Sequence, residues 1–265
     1  MQIINTALYY IQSAFAILTG FEKPFSVVKL FLNQDKKTQK EGNQVRLKRQ
    51  GIQFTVRTAM DMWSIKETFL DDFYRFEASK KPVKGTIIDI GAGIGEFAIQ
   101  AAAACPDGVV YGFEPFPESY QLFQKNIKDN SLTNIHPIEA AVSSIPGAMV
   151  MDTSSGNPLQ FRMQPGVHSQ SAIKTVMLID FLNENGISQC DLLKLDCEGG
   201  EYDILLPLSQ QELGRFQRIV MEYHDALTPH NHKELVEHIK NGGFNVEVVQ
   251  NVVHDELGYI YAQRP

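Results

Sequence analysis

Thr86-Ile87-Ile88-Asp89-Ile90-Gly91-Ala92-Gly93-Ile94-Gly95-Glu96-Phe97 decides the fold of this 265-residue chain. A short β-rich run ends at Ile90, glycines recur at 91, 93 and 95, and the alanine-rich stretch Glu96–Ala104 follows. Strand, glycine turn and helix in this order read as the opening of a nucleotide-binding βαβ unit, because glycine lets the backbone turn tightly beside a ligand. The same alternation continues outward. Val109–Phe113 reads as a strand, Glu118–Asn130 as a helix and Ile135–Val142 as a third strand. Residues 145–172, rich in Ser, Gly, Pro and Gln, break the pattern and read as an inserted hairpin or substrate loop. It resumes with a strand at 172–177, a helix at 178–185, the apolar run 191–195, a strand at 218–223, a helix at 232–241 and closing strands at 244–249 and 259–262. This predicts an α/β fold with a doubly wound, Rossmann-like, mostly parallel sheet and ligand sites at the carboxyl ends of its strands.

Upstream, Gly51–Arg57 reads as a strand, Ile65–Phe76 as a helix, and 81–85 (K-P-V-K-G) as the entry to the core. Ile3, Ile4, Ala7, Leu8, Ile11, Ala14, Phe15 and Leu18 recur at helical spacing, and no charged side chain precedes Glu22. Polar interruptions at Asn5, Thr6, Gln12 and Ser13, with no preceding Lys or Arg, disfavour a secretory signal or a membrane span. Between Glu22 and Gln50 the basic residues Lys23, Lys29, Lys36, Lys37, Lys40, Arg46, Lys48 and Arg49 outnumber Glu22, Asp35 and Glu41. We read 1–50 as a helical extension and basic linker, docked on the domain or on a second subunit in a homodimer, or making peripheral membrane contact. Residues 51–265 form one domain, with core motifs in 86–224.

A net charge of −7 argues against nucleic acid as a partner, because polyanion binding draws on many phosphate contacts. Cys105, Cys190 and Cys197 are odd in number and lack C-x-x-C spacing, so no disulfide framework or zinc site is indicated. A reducing, cytoplasmic setting is expected, with membrane association through the extension as its variant. Cys197 reads as a small buried hydrophobe before it reads as a nucleophile.

Charge selects the ligand of the glycine loop. A G-x-G-x-x-G dinucleotide fingerprint would place its third glycine at position 96, where this chain has Glu96. A carboxylate there faces the spot where a pyrophosphate would rest on the helix N-terminus, and Asp89 adds a second. S-adenosylmethionine has no phosphate and carries an ammonium and a sulfonium, so acidic surroundings hold it. Glu114, ending the strand of Tyr111-Gly112-Phe113-Glu114-Pro115, is placed to accept hydrogen bonds from both ribose hydroxyls. Further on, Leu192-Leu193-Lys194-Leu195-Asp196-Cys197-Glu198-Gly199-Gly200-Glu201 ends an apolar strand in a carboxylate and a glycine turn, and Met221-Glu222-Tyr223-His224 ends the next. Adjacent strand ends bring Asp196, Glu222 and His224 toward the loop as the catalytic candidates. Asp196 or His224 would act as general base, or a divalent cation held by Asp196 with Glu222 or His224 would lower the acceptor pKa.

These motifs together resemble the FkbM-type methyltransferases over Thr86–His224: I-I-D-I-G-A-G-I-G-E-F, G-F-E-P-F-P-E-S-Y with a following K-N-I, E-A-A-V-S, D-L-L-K-L-D-C-E-G-G-E-Y-D-I-L, and I-V-M-E-Y-H. The resemblance implies donor contacts from Asp89, Gly91, Gly93 and Glu114, with Ala92, Gly95 and Pro115 in the same turns, and an adenine border at Glu139-Ala140-Ala141. It also implies a reaction side lined by Asp196 and the turn of Glu198, Gly199 and Glu201. Members of that family mainly O-methylate hydroxyls of sugars, polyketides or other natural products, so a small-molecule, glycolipid or glycan acceptor is expected. Two positions depart from the pattern: Ala92-Gly93 stands where the family often has Ala-Asn, and Cys197 where it often has an aliphatic residue. Two rivals stay open, an NAD-dependent oxidoreductase and a non-catalytic module that keeps only donor binding.

Overall fold

A computed structural model describes residues 2–32, 42–76, 84–152, 162–165 and 172–265. Its centre is a seven-stranded sheet whose elements follow from the alternation above. β3 (Thr86–Ile90), α4 (Glu96–Ala104), β4 (Val109–Phe113), α5 (Pro117–Asp129) and β5 (Ile135–Ile138) build one half. In the other half α6 (Leu178–Glu184), β10 (Leu192–Leu195), α7 (Gly200–Leu205), α8 (Gln210–Leu213), β11 (Arg218–His224), α9 (His232–Asn241), β12 (Asn245–Gln250) and β13 (Leu257–Gln263) complete it. The strand order is β12-β13-β11-β10-β3-β4-β5. β11, β10, β3, β4 and β5 run parallel, and β13 joins β11 antiparallel, so "mostly parallel" holds with an antiparallel closing pair. The chain winds outward from β3 in one direction and from β10 in the other. The crevice between their carboxyl ends is the topological switch point, where open α/β sheets bind ligands.

Both faces of the sheet are covered, which explains why its strands read as continuous apolar runs rather than alternating ones. Ile87, Val110, Leu192 and Val220 enter one core; Ile88, Phe113, Leu193, Leu195 and Met221 enter the other. The period of two has a second consequence at the strand ends. Asp89 and Lys194 are register partners on adjacent strands and share the face of Ile87 and Leu192.

Around the expected insertion at 145–172, of which 153–161 and 166–171 lie outside the described residues, the chain leaves the main sheet. β6 (Ala141–Val142), β7 (Gly147–Asp152), β8 (Arg162–Pro165) and β9 (Ala172–Val176) make a separate four-stranded sheet in the order β6-β9-β7-β8. The run expected as one strand over 135–142 is thus two, β5 in the main sheet and β6 in the small one.

The N-terminal segment packs on the same core. α1 (Gln2–Gly20) and α2 (Pro24–Leu32) precede a hairpin of β1 (Asn43–Arg46) and β2 (Gln53–Val56). Phe21, Val27 and Leu47 are buried together with Phe54, Ile65 and Phe97. The boundary drawn at residue 51 falls in the turn of this hairpin, which is fastened to α5 by the Thr55 N–H donating to Asn126 at 2.7 Å. α3 (Ala59–Phe69) starts earlier than the expected Ile65 because Thr58 caps it reciprocally with Asp61. It ends before Asp72 and Arg75, whose φ of 51° and 50° are incompatible with a helix. Residues 81–83 of the expected core entry, and Lys36, Lys37 and Lys40 of the basic run, lie outside the described residues. No helix among the described residues is long and apolar enough to cross a membrane.

Candidate donor and acceptor site

The glycine loop sits at the switch point, held by backbone bonds that leave little room for side chains. The N–H groups of Gly91 and Ala92 both donate to Phe113 O, and the Asp196 N–H donates to Ile90 O. Gly91 has φ 77°, and a Cβ there would meet the Asp196 carbonyl oxygen at 1.8 Å, so the two strand ends touch only because position 91 is glycine. Gly95, with φ 93°, starts α4 against the Phe123 ring. Ala92 turns inward and is buried, contributing backbone rather than surface.

Glu114, at the end of β4, is tied to the loop through its carboxylate. One carboxylate oxygen accepts from the Gly93 N–H and the other from the Phe116 N–H, both at 2.8 Å, which aims the group into the loop with lone pairs to spare. Pro115 carries the chain from Glu114 toward α5. The Glu114 N–H donates to Ile138 O, which seats the 139–141 segment beside it; Ala140 is buried and the Glu139 side chain points to solvent.

Asp89 needs a correction. It was expected to face the ligand, but it is fully buried and its carboxylate lies 2.9 Å from Lys194 Nζ. Burial pulls the Lys194 ammonium down, yet Asp89 and Asp196 outweigh it and hold it above its ordinary value. The lysine also donates to Gly91 O at 2.8 Å. Asp89 therefore acts through Lys194 as a positioning residue that braces the glycine turn.

Glu96 folds back toward Gly93. It accepts from Ser64 Oγ, while its second oxygen is buried without a hydrogen-bond partner. Burial pushes Glu96 up to about 7 and Glu114 up to about 8. An orphaned carboxylate oxygen and two acids pushed up by burial fit a cationic ligand and oppose a pyrophosphate.

On the reaction side, Tyr74 donates its hydroxyl to Asp196 at 2.7 Å. Glu201 is fully buried and accepts from the N–H groups of Cys197 and Gly199, stabilising a turn in which Glu198 and Gly199 have φ of 55° and 94°. His224 is buried 3.4 Å from Glu201 and 3.8 Å from Glu198. Burial lowers the His224 pKa, but Glu201, Asp196 and Glu222 override it and push it up to about 10. A charged imidazole has no lone pair to take a proton, so these neighbours suit His224 to offsetting negative charge better than to acting as general base. Glu222 is raised well above the usual carboxylate range by burial and by Asp196. Cys197 is raised by burial and by Glu201, which makes it an inert thiol.

The groups expected for a metal are only partly the ones brought together. Asp196, Glu201 and His224 each offer a ligand atom within 4.8 Å of the others, and Glu222 is not in that set. Glu67 and Tyr74, which sequence reading missed, approach from α3 and the turn after it. Glu67 accepts from Trp63 Nε1 at 2.8 Å and is pushed up to about 7, chiefly by burial. Both fall upstream of every motif, and no spacing links them to Asp196.

The chain is similar to known proteins in sequence and in fold. The profile for the methyltransferase FkbM domain matches residues 89–246. A protein named Methyltransferase 1 from Beauveria bassiana is 24% identical over 184 residues, covering 61% of this chain and 72% of that protein. The 31-O-demethyl-FK506 methyltransferase FkbM of Streptomyces tacrolimicus is 23% identical over 191 residues, covering 61% and 74%. Among solved structures, an FkbM methyltransferase from Methylobacillus flagellatus superposes with a TM-score of 0.51 at 10% identity, over 97% of this chain and 60% of that one. With the profile spanning more than half of its length, this chain belongs to the FkbM-domain methyltransferase family.

Proposed function

We propose that the chain is an S-adenosylmethionine-dependent O-methyltransferase acting on a hydroxyl of a sugar, glycolipid or natural-product acceptor. The observation that carries this reading is the excess of buried and half-buried carboxylate at the switch point. Glu96, Glu114, Asp196 and Glu222 crowd the loop and the strand ends, and the neighbouring cations Lys194 and His224 are already engaged with Asp89 and Glu201. When bound, the donor supplies an electrophilic methyl group on a positively charged sulfur. Glu114 would hold the ribose, and the unpartnered Glu96 oxygen would face positive charge. Asp196, fixed by Tyr74, is the group we assign to orient the acceptor hydroxyl and receive its proton, with His224 offsetting the local negative charge. A nicotinamide dinucleotide would set its phosphates against these acids, which disfavours the oxidoreductase alternative.

Asp196→Asn separates chemistry from binding, and from a module that only binds the donor. Turnover should fall about 100-fold or more, the usual scale for losing a general base, while affinity for S-adenosylhomocysteine stays within a few-fold. Mass spectrometry of extracts from expressing and deleted cells, read for metabolites or glycans heavier by one CH2, would supply the acceptor for that assay. Equal turnover in the variant would remove Asp196 from the chemistry.

Donor affinity should also depend on pH. Before donor binds, burial holds Glu96 up at about 7 and Glu114 up at about 8, above the ordinary 4.5. A cationic ligand favours their charged forms, so binding releases protons and tightens as pH rises from about 6 to 8.5. The sign for the free protein is opposite: the unfolded chain ionises these acids first, so their contribution to stability declines as pH climbs from about 4.5 through 8. Melting curves across this range should show the donor-induced rise in Tm growing with pH. A rise that shrinks would contradict it.

The three-residue cluster of Asp196, Glu201 and His224 favours a second reading, a divalent cation that lowers the acceptor pKa. It requires His224 to lose its proton and Glu201 to add a ligand to the two N–H bonds it already accepts. Turnover unchanged after dialysis against EDTA would eliminate it.

A further inference from the structure

α1 presents two opposite faces. The inner one is fixed to the domain: Ser13 and Ile17 are buried, and Tyr9 closes over the buried Lys66, whose ammonium lies 4.3 Å from the Tyr9 ring and 4.5 Å from that of Trp63. Lys66 also donates to Tyr9 Oη at 3.1 Å and pairs with Asp71. These contacts set the rotation of the helix about its axis. They leave Leu8, Ile11, Phe15 and Leu18, spaced by three, four and three residues, on the outer face. Ile11 and Phe15 are 67% and 69% exposed, and Phe25 at the start of α2 is 83% exposed. No residue of α1 carries a charge. At helix ends nearby the surface turns basic. Lys23 and Lys29 are exposed beside and on α2, and Lys48 is exposed in the hairpin turn whose N–H donates to Gly20 O at the end of α1.

We propose that this face docks on a membrane surface carrying anionic headgroups, with α1 lying in the interfacial plane. Charge complementarity selects this occupant. In a chain of net charge −7 the exposed cations Lys23, Lys29 and Lys48 lie on or beside the segments that follow α1, and the exposed Glu22 pairs with Arg46 at 3.5 Å. Acyl chains would then receive Leu8, Ile11, Phe15 and Phe25 while phosphates meet the lysines. A second copy of the chain suits the face less well. A two-fold dimer through α1 would set the same lysines of both copies near one another, and a single protruding helix offers itself no complementary groove. The helix is about 28 Å long at 1.5 Å per residue, and its outward face alone is free, so it lies on the bilayer rather than across it.

Flotation of the full chain with phosphatidylglycerol–phosphatidylcholine vesicles tests this. The protein should rise with these vesicles, and at least about tenfold less with phosphatidylcholine alone or in 0.5 M salt. Ile11→Asp with Phe15→Asp should reduce the bound fraction at least about tenfold, as should Lys29→Glu with Lys48→Glu. Undiminished affinity for S-adenosylhomocysteine in both variants shows that they fold, since none of these side chains touches the loop. The proposal falls if the wild-type chain stays unbound, or if both variants float as well as wild type. It also falls if sedimentation shows a dimer that Ile11→Asp with Phe15→Asp dissociates while vesicles are ignored, which would assign the face to a second copy.

Discussion

Replacing Glu114 by alanine should weaken S-adenosylmethionine binding about 100-fold, the larger of the expected losses of affinity in the donor pocket. The carboxylate is buried at the end of β4 and already shaped by the Gly93 and Phe116 N–H groups. Two ribose hydroxyls donating to it would make charge-assisted hydrogen bonds worth roughly 1.5 kcal/mol or more each, and about 1.4 kcal/mol is a factor of ten in affinity. Alanine also frees two loop N–H groups, so some of the loss reflects a looser turn. Glu114→Gln distinguishes the contributions: it keeps one acceptor oxygen and should lose less than alanine. Calorimetric affinities within threefold of wild type for both variants would exclude Glu114 from the site.

Lys194→Ala should be the most destabilising single change at the strand ends. The ammonium and the Asp89 carboxylate are both shut off from solvent, and removing one partner of a buried pair costs about 3–5 kcal/mol because the other charge is stranded. For a chain of this size that corresponds to a fall in Tm of roughly 10 °C. The bond to Gly91 O disappears as well, so donor affinity should drop with stability. The pH dependence identifies the cause. Burial already pushes Asp89 up, and without Lys194 only a backbone hydrogen bond from Ala98 counters it. The unfolded chain then ionises Asp89 at lower pH than the folded one, so the deficit should widen as pH rises from about 4 and be smallest in acid. The double variant Asp89→Asn with Lys194→Met should recover part of the loss, since two neutral groups replace a stranded charge. A pH-independent deficit would mean that the pair is not ionic.

The main sheet was legible because its signals are local. Apolar runs of strand length end in Gly91, Glu114, Asp196 and His224, and each turn chemistry agrees with the element that follows it. The convergence of those ends could also be read, because parallel sheets gather ligand groups at one edge. What stayed hidden depends on register and on long-range packing. Asp89 looked like a ligand contact, and only the pairing of β3 with β10 reveals that Lys194 sits directly beside it. His224 looked like a base, and its surroundings become visible only when the turn after β10 brings Glu201 within 3.4 Å. Glu67 and Tyr74 belong to a segment with no motif, brought over the site by α3. The apolar period of α1 was readable, but its split into a docked face and an outward one depends on the Lys66 contacts, which no helical period contains.

On the proposed function, acids around a tight glycine turn select a cationic, phosphate-free nucleoside over a dinucleotide. Calorimetric titration of the full chain with S-adenosylmethionine and, separately, with NAD at about pH 8 addresses it most directly. Saturable binding of the methyl donor with no heat from the dinucleotide is expected; saturable NAD binding with the donor ignored would contradict it.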